Sequence, residues 1–288
     1  MSLGLLLALI PLVGWGLGDF LIQKTTRSIG VFKTLFFICV FSVPVLFPFV
    51  YAEFPLLTLE QLNILTAMSF VVFVYALVLF EAFRVGKISV VESIVAIELP
   101  LTVFLAVFVG GETMQGTHLL LFAVVCVGVL LASMDEVDVL RQGRRLFEKG
   151  VLIALAAAVL SACANYSIGA SAQNVSPLMA IWYSHAVIGC IAGLALYIKG
   201  EFFELVDDFK AHPWLISGQS VCDNAAWVGY AYAVTYLPIS LVITISESYI
   251  ILAALLGYWI GKEHLHIHQK IGAAIALPAV ILFAILMS

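Results

Sequence analysis

Apolar and polar positions along this chain alternate on the scale of a whole membrane thickness. Apolar runs of about 20 residues, the length at which a helix crosses the hydrocarbon core, follow one another with few polar breaks. The pattern predicts ten spanning α-helices, near residues 4–23, 32–52, 62–83, 88–109, 115–134, 150–171, 177–198, 213–235, 239–261 and 267–287. Most connections are short. Two are longer and polar, 135–149 and 199–212, the latter rich in Glu and Asp. The expected organisation is a first five-helix repeat (1–134), a cytoplasmic linker (135–149) and a second five-helix repeat (150–288), with no soluble domain left over.

Composition agrees. With 63% hydrophobic and only 11% charged residues, the chain cannot clothe a water-soluble surface of its size,. The signs of the few charges are informative by place. All 13 Lys and Arg fall in or beside the connections after spans 1, 3, 5, 7 and 9, from Lys24, Arg27 and Lys33 to Lys262 and Lys270. The positive-inside rule then makes those five loops cytoplasmic and both termini external. Because five is odd, the second half must be inverted relative to the first. No basic patch points to nucleic acid. The five cysteines stand singly inside apolar runs, so neither a disulfide framework nor a metal site is expected,. No cofactor is expected. The N-terminus lacks the basic stretch of a signal peptide, so its first apolar run is read as a permanent helix.

The polar residues that remain inside the spans are the candidate chemistry, since a carboxylate in hydrocarbon is costly and by default faces a protein interior or a watery cavity. Span 4 carries Glu92 one turn in and Glu98 near mid-depth, with Pro100 placed to free the carbonyl of Ala96 and kink the helix. A shift of 151 residues brings Ile88-Ser89 onto Ile239-Ser240 and Gly111-Glu112 onto Lys262-Glu263, and span 9 holds its own acid, Glu247, with Ser240 and Thr244 on the same face. Span 1 contains Gly14 and Gly18, four apart and suited to a close crossing, and Trp15 and Asp19 on one face. Trp15 reads either as cavity wall or as an interfacial belt residue, and Asp19 either as cavity wall or as an acid hydrated near the cytoplasmic end. Span 6 offers Asn165 and Tyr166, the latter at the repeat position of Trp15. Span 7 offers His185, more often a hydrogen-bonded structural residue than a ligand. Span 8 presents Asp223, Trp227 and Tyr230 at i, i+4 and i+7, with Asn224 beside them,. Glu81 is expected to pair with Arg84 and carries no site role.

These features resemble the drug/metabolite transporter superfamily, in its EamA-type ten-span branch. The resemblance runs over the whole chain: the Trp15 region, the Ile-Ser openings of spans 4 and 9, Pro100, the closing Glu112 and Glu263, and last helices with glycine (Gly128 and Gly272). It implies a central cavity lined by spans 1, 3, 4, 6, 8 and 9, with spans 5 and 10 at the periphery. The family's cargoes include amino acids, nucleotide sugars and amines, so the fold does not name the substrate. It also implies cytoplasmic termini, against which the Lys and Arg distribution argues for external ones.

The leading function is a secondary transporter in a cell membrane, plasma or inner, that moves a small polar molecule by alternating access about a midplane site. An acid-rich, base-free interior favours a cationic or zwitterionic cargo, amine- or amino-acid-like, and protons are the candidate coupling ion. The expected partners are that cargo, protons and the lipid bilayer, with the chain a monomer or a homodimer. A lipid-carrier flippase and a structural membrane subunit are the alternatives. An intramembrane enzyme would have only the His185–Asp223 couple to work with, so no enzymatic activity is expected.

Overall fold

The computed structural model describes residues 3–86, 88–133, 149–251 and 266–287, and every element among them is a helix. In order they are α1 (Leu3–Ile29), α2 (Val31–Val50) with a 3-10 turn at Tyr51–Leu56, α3 (Leu59–Val85), α4 (Ile88–Val95), α5 (Glu98–Phe108), α6 (Gly116–Ser133), α7 (Lys149–Asn174), α8 (Pro177–Lys199), a 3-10 turn at Phe202–Glu204, α9 (Leu205–Ala211), α10 (Pro213–Tyr236), α11 (Ile239–Ser246) and α12 (Ile267–Met287). Among the described residues, eight helical stretches are long and apolar enough to cross a membrane. α10 has the length, at 24 residues, but carries Gln219, Asp223 and Asn224 along it, and Ile239–Ile251 is a shorter apolar helix. The linker segment 134–148, with Arg141, Arg144 and Arg145, lies outside the described residues, as do Lys87, Lys262, Glu263 and Ser288.

The helices overrun the predicted apolar spans because their ends are capped in polar surroundings. α3 starts at Leu59 under Thr58, whose side chain accepts from the Gln61 backbone while the Gln61 side chain accepts from the Thr58 backbone. This reciprocal capping box satisfies two otherwise orphaned donors. The connection at 199–212 differs from the polar loop expected there. It folds back as α9 because Leu205 is buried with Phe37, Leu196 and Ile216, while Lys33, itself buried, reaches Glu204 at 2.6 Å and Asp208 at 2.8 Å.

The bundle is apolar outside and more polar within. Leu6, Val13, Leu17 and Phe20 of α1 are exposed, whereas Trp15, Ile22 and the flanking glycines face inward. α1 lies along α10, α3 along α7, α2 against α8, α5 against α11, and α6 against α12. This set of pairings maps onto itself when the first repeat's helices are exchanged for the second's. Two close approaches require glycine. A Cβ at Gly14 would meet Ala226 Cβ and the Cys222 carbonyl at 2.8 Å, and one at Gly128 would meet Ala276 Cβ at 2.6 Å. The Gly14 position thus sets the α1–α10 distance, and Gly128 with Gly272 sets that of α6 and α12.

Span 4 is broken. Residues 96–97 form a turn between α4 and α5, where Ile97 N–H bonds the Ile94 carbonyl and Leu99 N–H the Ala96 carbonyl. The carbonyl that Pro100 cannot serve is thus taken by the residue before it. Span 9 is broken at 247–248, the same two positions after the shift of 151, and Ser248 N–H bonds Ile245 as Ile97 bonds Ile94. No proline stands in the second break. There the Thr244, Ser246 and Ser248 hydroxyls each donate to the carbonyl four residues back, at 2.6, 2.8 and 2.8 Å, and such back-bonding bends helices.

The connections after spans 1, 3 and 7 meet at one end of the bundle, where Arg27 donates to the Gly86 carbonyl and Lys33 holds α9. Glu81 and Arg84 form a two-pronged surface pair at 2.6 and 2.7 Å, as expected from their spacing. At the opposite end Glu112 caps α11, accepting from the Ile239 and Ser240 N–H groups at 2.5 and 3.0 Å.

A candidate substrate cavity at the two helix breaks

Both breaks open onto one interior cavity of about 50 Å³. Its polar lining comes from α1 (Trp15, Asp19), α3 (Tyr75), the broken span 4 (Glu92, Glu98), α7 (Asn165), α8 (His185), α10 (Asp223, Trp227) and the end of span 9 (Glu247, Tyr249). Each break puts backbone and side chains where a continuous helix would shield them. Glu98 is the first residue of α5, and Glu247 sits in the second turn. Both are almost wholly buried, at 5% and 2% exposed.

The carboxyls are organised by specific partners. Glu98 and Glu247, one from each break, both line the cavity. Tyr249 donates to Glu92 Oε2, and its hydroxyl stands 3.5 Å from Asp19 Oδ2, so one phenol ties span 9 to spans 1 and 4. Asp223 and Trp227 stand one turn apart on α10, and both line the cavity. Glu92 Oε1, Glu98 Oε2 and Thr102 Oγ1 are buried without a hydrogen-bond partner. No Lys or Arg lines the cavity among the described residues. Its aromatic wall is built on Trp15 and Trp227, edge to face with centroids 5.1 Å apart, with Tyr75 a further 6.5 Å from Trp227.

Of the residues nominated from sequence, Trp15, Asp19, Glu92, Glu98, Asn165, His185, Asp223, Trp227 and Glu247 meet here. Four others sit elsewhere. Tyr230 is fully buried behind the wall, packed on Trp15 and Trp227, and its hydroxyl donates to the Asn165 carbonyl at 2.9 Å. Asn224 braces α10 against α2 by donating to the Ile38 carbonyl at 3.1 Å. The Thr244 hydroxyl is spent on its own helix. Tyr166 lies against the backbone at Gly110, where an added Cβ would meet its ring at 3.1 Å. His185 bonds Ser42 through Nδ1 at 2.8 Å, so the partner it takes is Ser42 and not Asp223.

Two wall residues escaped the sequence reading. Tyr75 is a lone tyrosine in an apolar span, hydrogen-bonded to Ser161, and nothing in its spacing marks it. Tyr249 was legible in principle, since it falls 151 residues after Glu98.

Comparison with known proteins agrees with this architecture. Residues 2–134 and 148–285 each match the model of the EamA-like transporter family. Chains of solved structures that match number 28. One, titled only as the crystal structure of a protein, superimposes with a TM-score of 0.68 over 99% of this chain and 98% of its own, at 15% identity, a likeness of fold. No curated protein matches the sequence. Two matched segments that together take in nearly the whole chain, on an all-helical bundle with eight membrane-length helices, place this multi-pass membrane protein in the EamA-like transporter family.

Proposed function

We propose that this chain is a secondary transporter that carries a small cationic or zwitterionic organic molecule, amine- or amino-acid-like, by alternating access in exchange for protons. Five carboxyl groups around one buried, aromatic-walled cavity with no basic residue in its lining carry this reading. A cation about 4 Å from a carboxylate gains about 4 kcal/mol at an intermediate effective dielectric, and the Trp and Tyr faces add cation–π attraction.

The wider frame is ten spans in two inverted five-helix repeats with both termini external. The exchange-symmetric helix pairings, the matched breaks and the meeting of the connections after spans 1, 3 and 7 at one end of the bundle all support it. Broken helices at equivalent places in two repeats are where transporters of this plan bind cargo. A cavity of about 50 Å³ is smaller than the roughly 150 Å³ that benzene fills, so loading requires the two repeats to move apart. In the exchange cycle a carboxyl of the cavity gives up its proton as the cargo's positive charge arrives, so cargo binding strengthens as pH rises.

Uptake of labelled amines and amino acids into proteoliposomes, driven by an outward proton gradient, tests this. Cationic uptake that dissipates the gradient is the expected result. Uptake of anionic or neutral cargo only, or none at all, sinks the proposal. Reporter fusions at Ser288 and within 135–149 test the topology, with external and cytoplasmic signals expected.

A further inference from the structure

Resting on the reading of this cavity as a cargo site, we propose that the cargo is a linear aliphatic polyamine, recognised by carboxyl stations spaced along the cavity rather than by a single ammonium pocket. The acids do not converge. Among the described residues no group of three or more ligating side chains could hold a metal ion. Instead they form three stations: Asp223 beside Trp227, Asp19 and Glu92 joined by Tyr249, and Glu98 with Glu247. Glu92 and Glu98 stand on opposite sides of the break at 96–97. With no three acids placed to share one ion, a compact cation meets only part of the set, whereas two ammonium groups joined by a few methylenes reach two stations.

A second observation points to a ligand independently of the number of acids. Glu92 Oε1 and Glu98 Oε2, one oxygen from each of two stations, are buried without a partner, and both residues line the cavity. Glu98 is only 5% exposed. Buried carboxyl oxygens left unpaired are costly, and donors on one bridging ligand relieve both. A single-charge cargo would satisfy one station and leave the other unmatched.

The donors also argue against a zwitterion. Five acidic side chains with no Lys or Arg among the lining repel a cargo carboxylate,. Between the stations the wall is apolar and aromatic, with Val72 and Leu79 beside Tyr75 and Trp227, a lining suited to a methylene chain. Charge balance follows: an electroneutral exchange of a diamine with two positive charges moves two protons the other way.

The test is competition against labelled putrescine in proteoliposomes of the full chain, with unlabelled putrescine, n-butylamine, choline and alanine. Putrescine and n-butylamine share a carbon skeleton and differ by one ammonium group. Putrescine is expected to compete at least tenfold more strongly than n-butylamine, and Glu98→Gln to bring that ratio towards one. Equal competition by n-butylamine or choline would overturn the polyamine assignment while leaving an amine transporter. Transport of alanine without any amine would overturn it while leaving a transporter, and no transport of any probe would overturn the broader function too. A Glu98→Gln protein that keeps the native ratio would likewise overturn the proposal. The competition series needs no variant, so it decides the question even if Glu98→Gln does not fold.

Discussion

The two broken helices make the same shape with different chemistry. Span 4 breaks at 96–97, next to Pro100, and carries two acids, Glu92 and Glu98. Span 9 breaks at the repeat-equivalent 247–248 without a proline, bent by three hydroxyls turned back on their own helix, and carries one acid and one phenol, Glu247 and Tyr249. The break is therefore a property of the repeat, while the way each copy makes it and the groups it presents have diverged. The site gains a polarity that the backbone lacks: the first copy supplies most of the charge, and the second supplies the partners that hold it. Glu247 faces Glu98, and Tyr249 spans Glu92 and Asp19.

The comparison is broken most severely by neutralising the first copy. Glu98→Gln keeps the shape but removes a titratable carboxyl from the cavity. Transport of a cationic cargo should fall about a hundredfold or more, with its pH dependence lost, in proton-driven uptake at matched protein yield. If the native rate and pH profile persist, the acids are structural.

The wall behind the breaks gives the next largest effect, and splits by residue. Tyr230→Ala removes a fully buried ring and its bond to the Asn165 carbonyl, and should destabilise the fold by about 3–5 kcal/mol, read as a lowered thermal midpoint. Trp227→Ala, on the cavity wall, should also depress transport per folded molecule. Equal transport per folded molecule in the two variants would erase the distinction between wall and packing.

Span 9 is anchored by the first repeat, since Glu112 caps its N-terminus. Glu112→Ala should cost about 1–2 kcal/mol, the range of a lost cap, and should raise the accessibility of a cysteine placed at Ile239 to an impermeant thiol reagent. Unchanged labelling would mean that the cap does not hold this end closed.

Tyr249→Phe tests the second copy's role as a holder of charge. Losing one hydroxyl to two carboxyls should weaken cargo affinity by about tenfold, corresponding to about 1–1.5 kcal/mol, while folding survives. The smallest effect is expected for Pro100→Ala. Because span 9 makes the same break without proline, stability and transport should change by less than about 1 kcal/mol, below the roughly 3 kcal/mol that interior proline costs a continuous helix. A span 4 that becomes a continuous helix in the variant would show that proline alone made the first break.

The sequence by itself determined the helical membrane architecture, because hydrocarbon demands about 20 apolar residues per crossing and leaves buried acids conspicuous. It also determined the internal repeat, seen as a shift of 151 residues, and the close crossing at Gly14 and the Glu81–Arg84 pair, which depend on short spacings along a helix. The tertiary structure alone decided which polar residues meet. Tyr230 and Asp223 share a stripe, yet one faces the packed interior and the other the cavity, because the neighbour that fills each direction comes from a distant helix. Tyr75 could not be singled out among apolar neighbours, and Glu112 as the cap of a helix 127 residues away is a bond that no local pattern encodes. Period and hydropathy act within one helix, whereas the cavity exists only between helices.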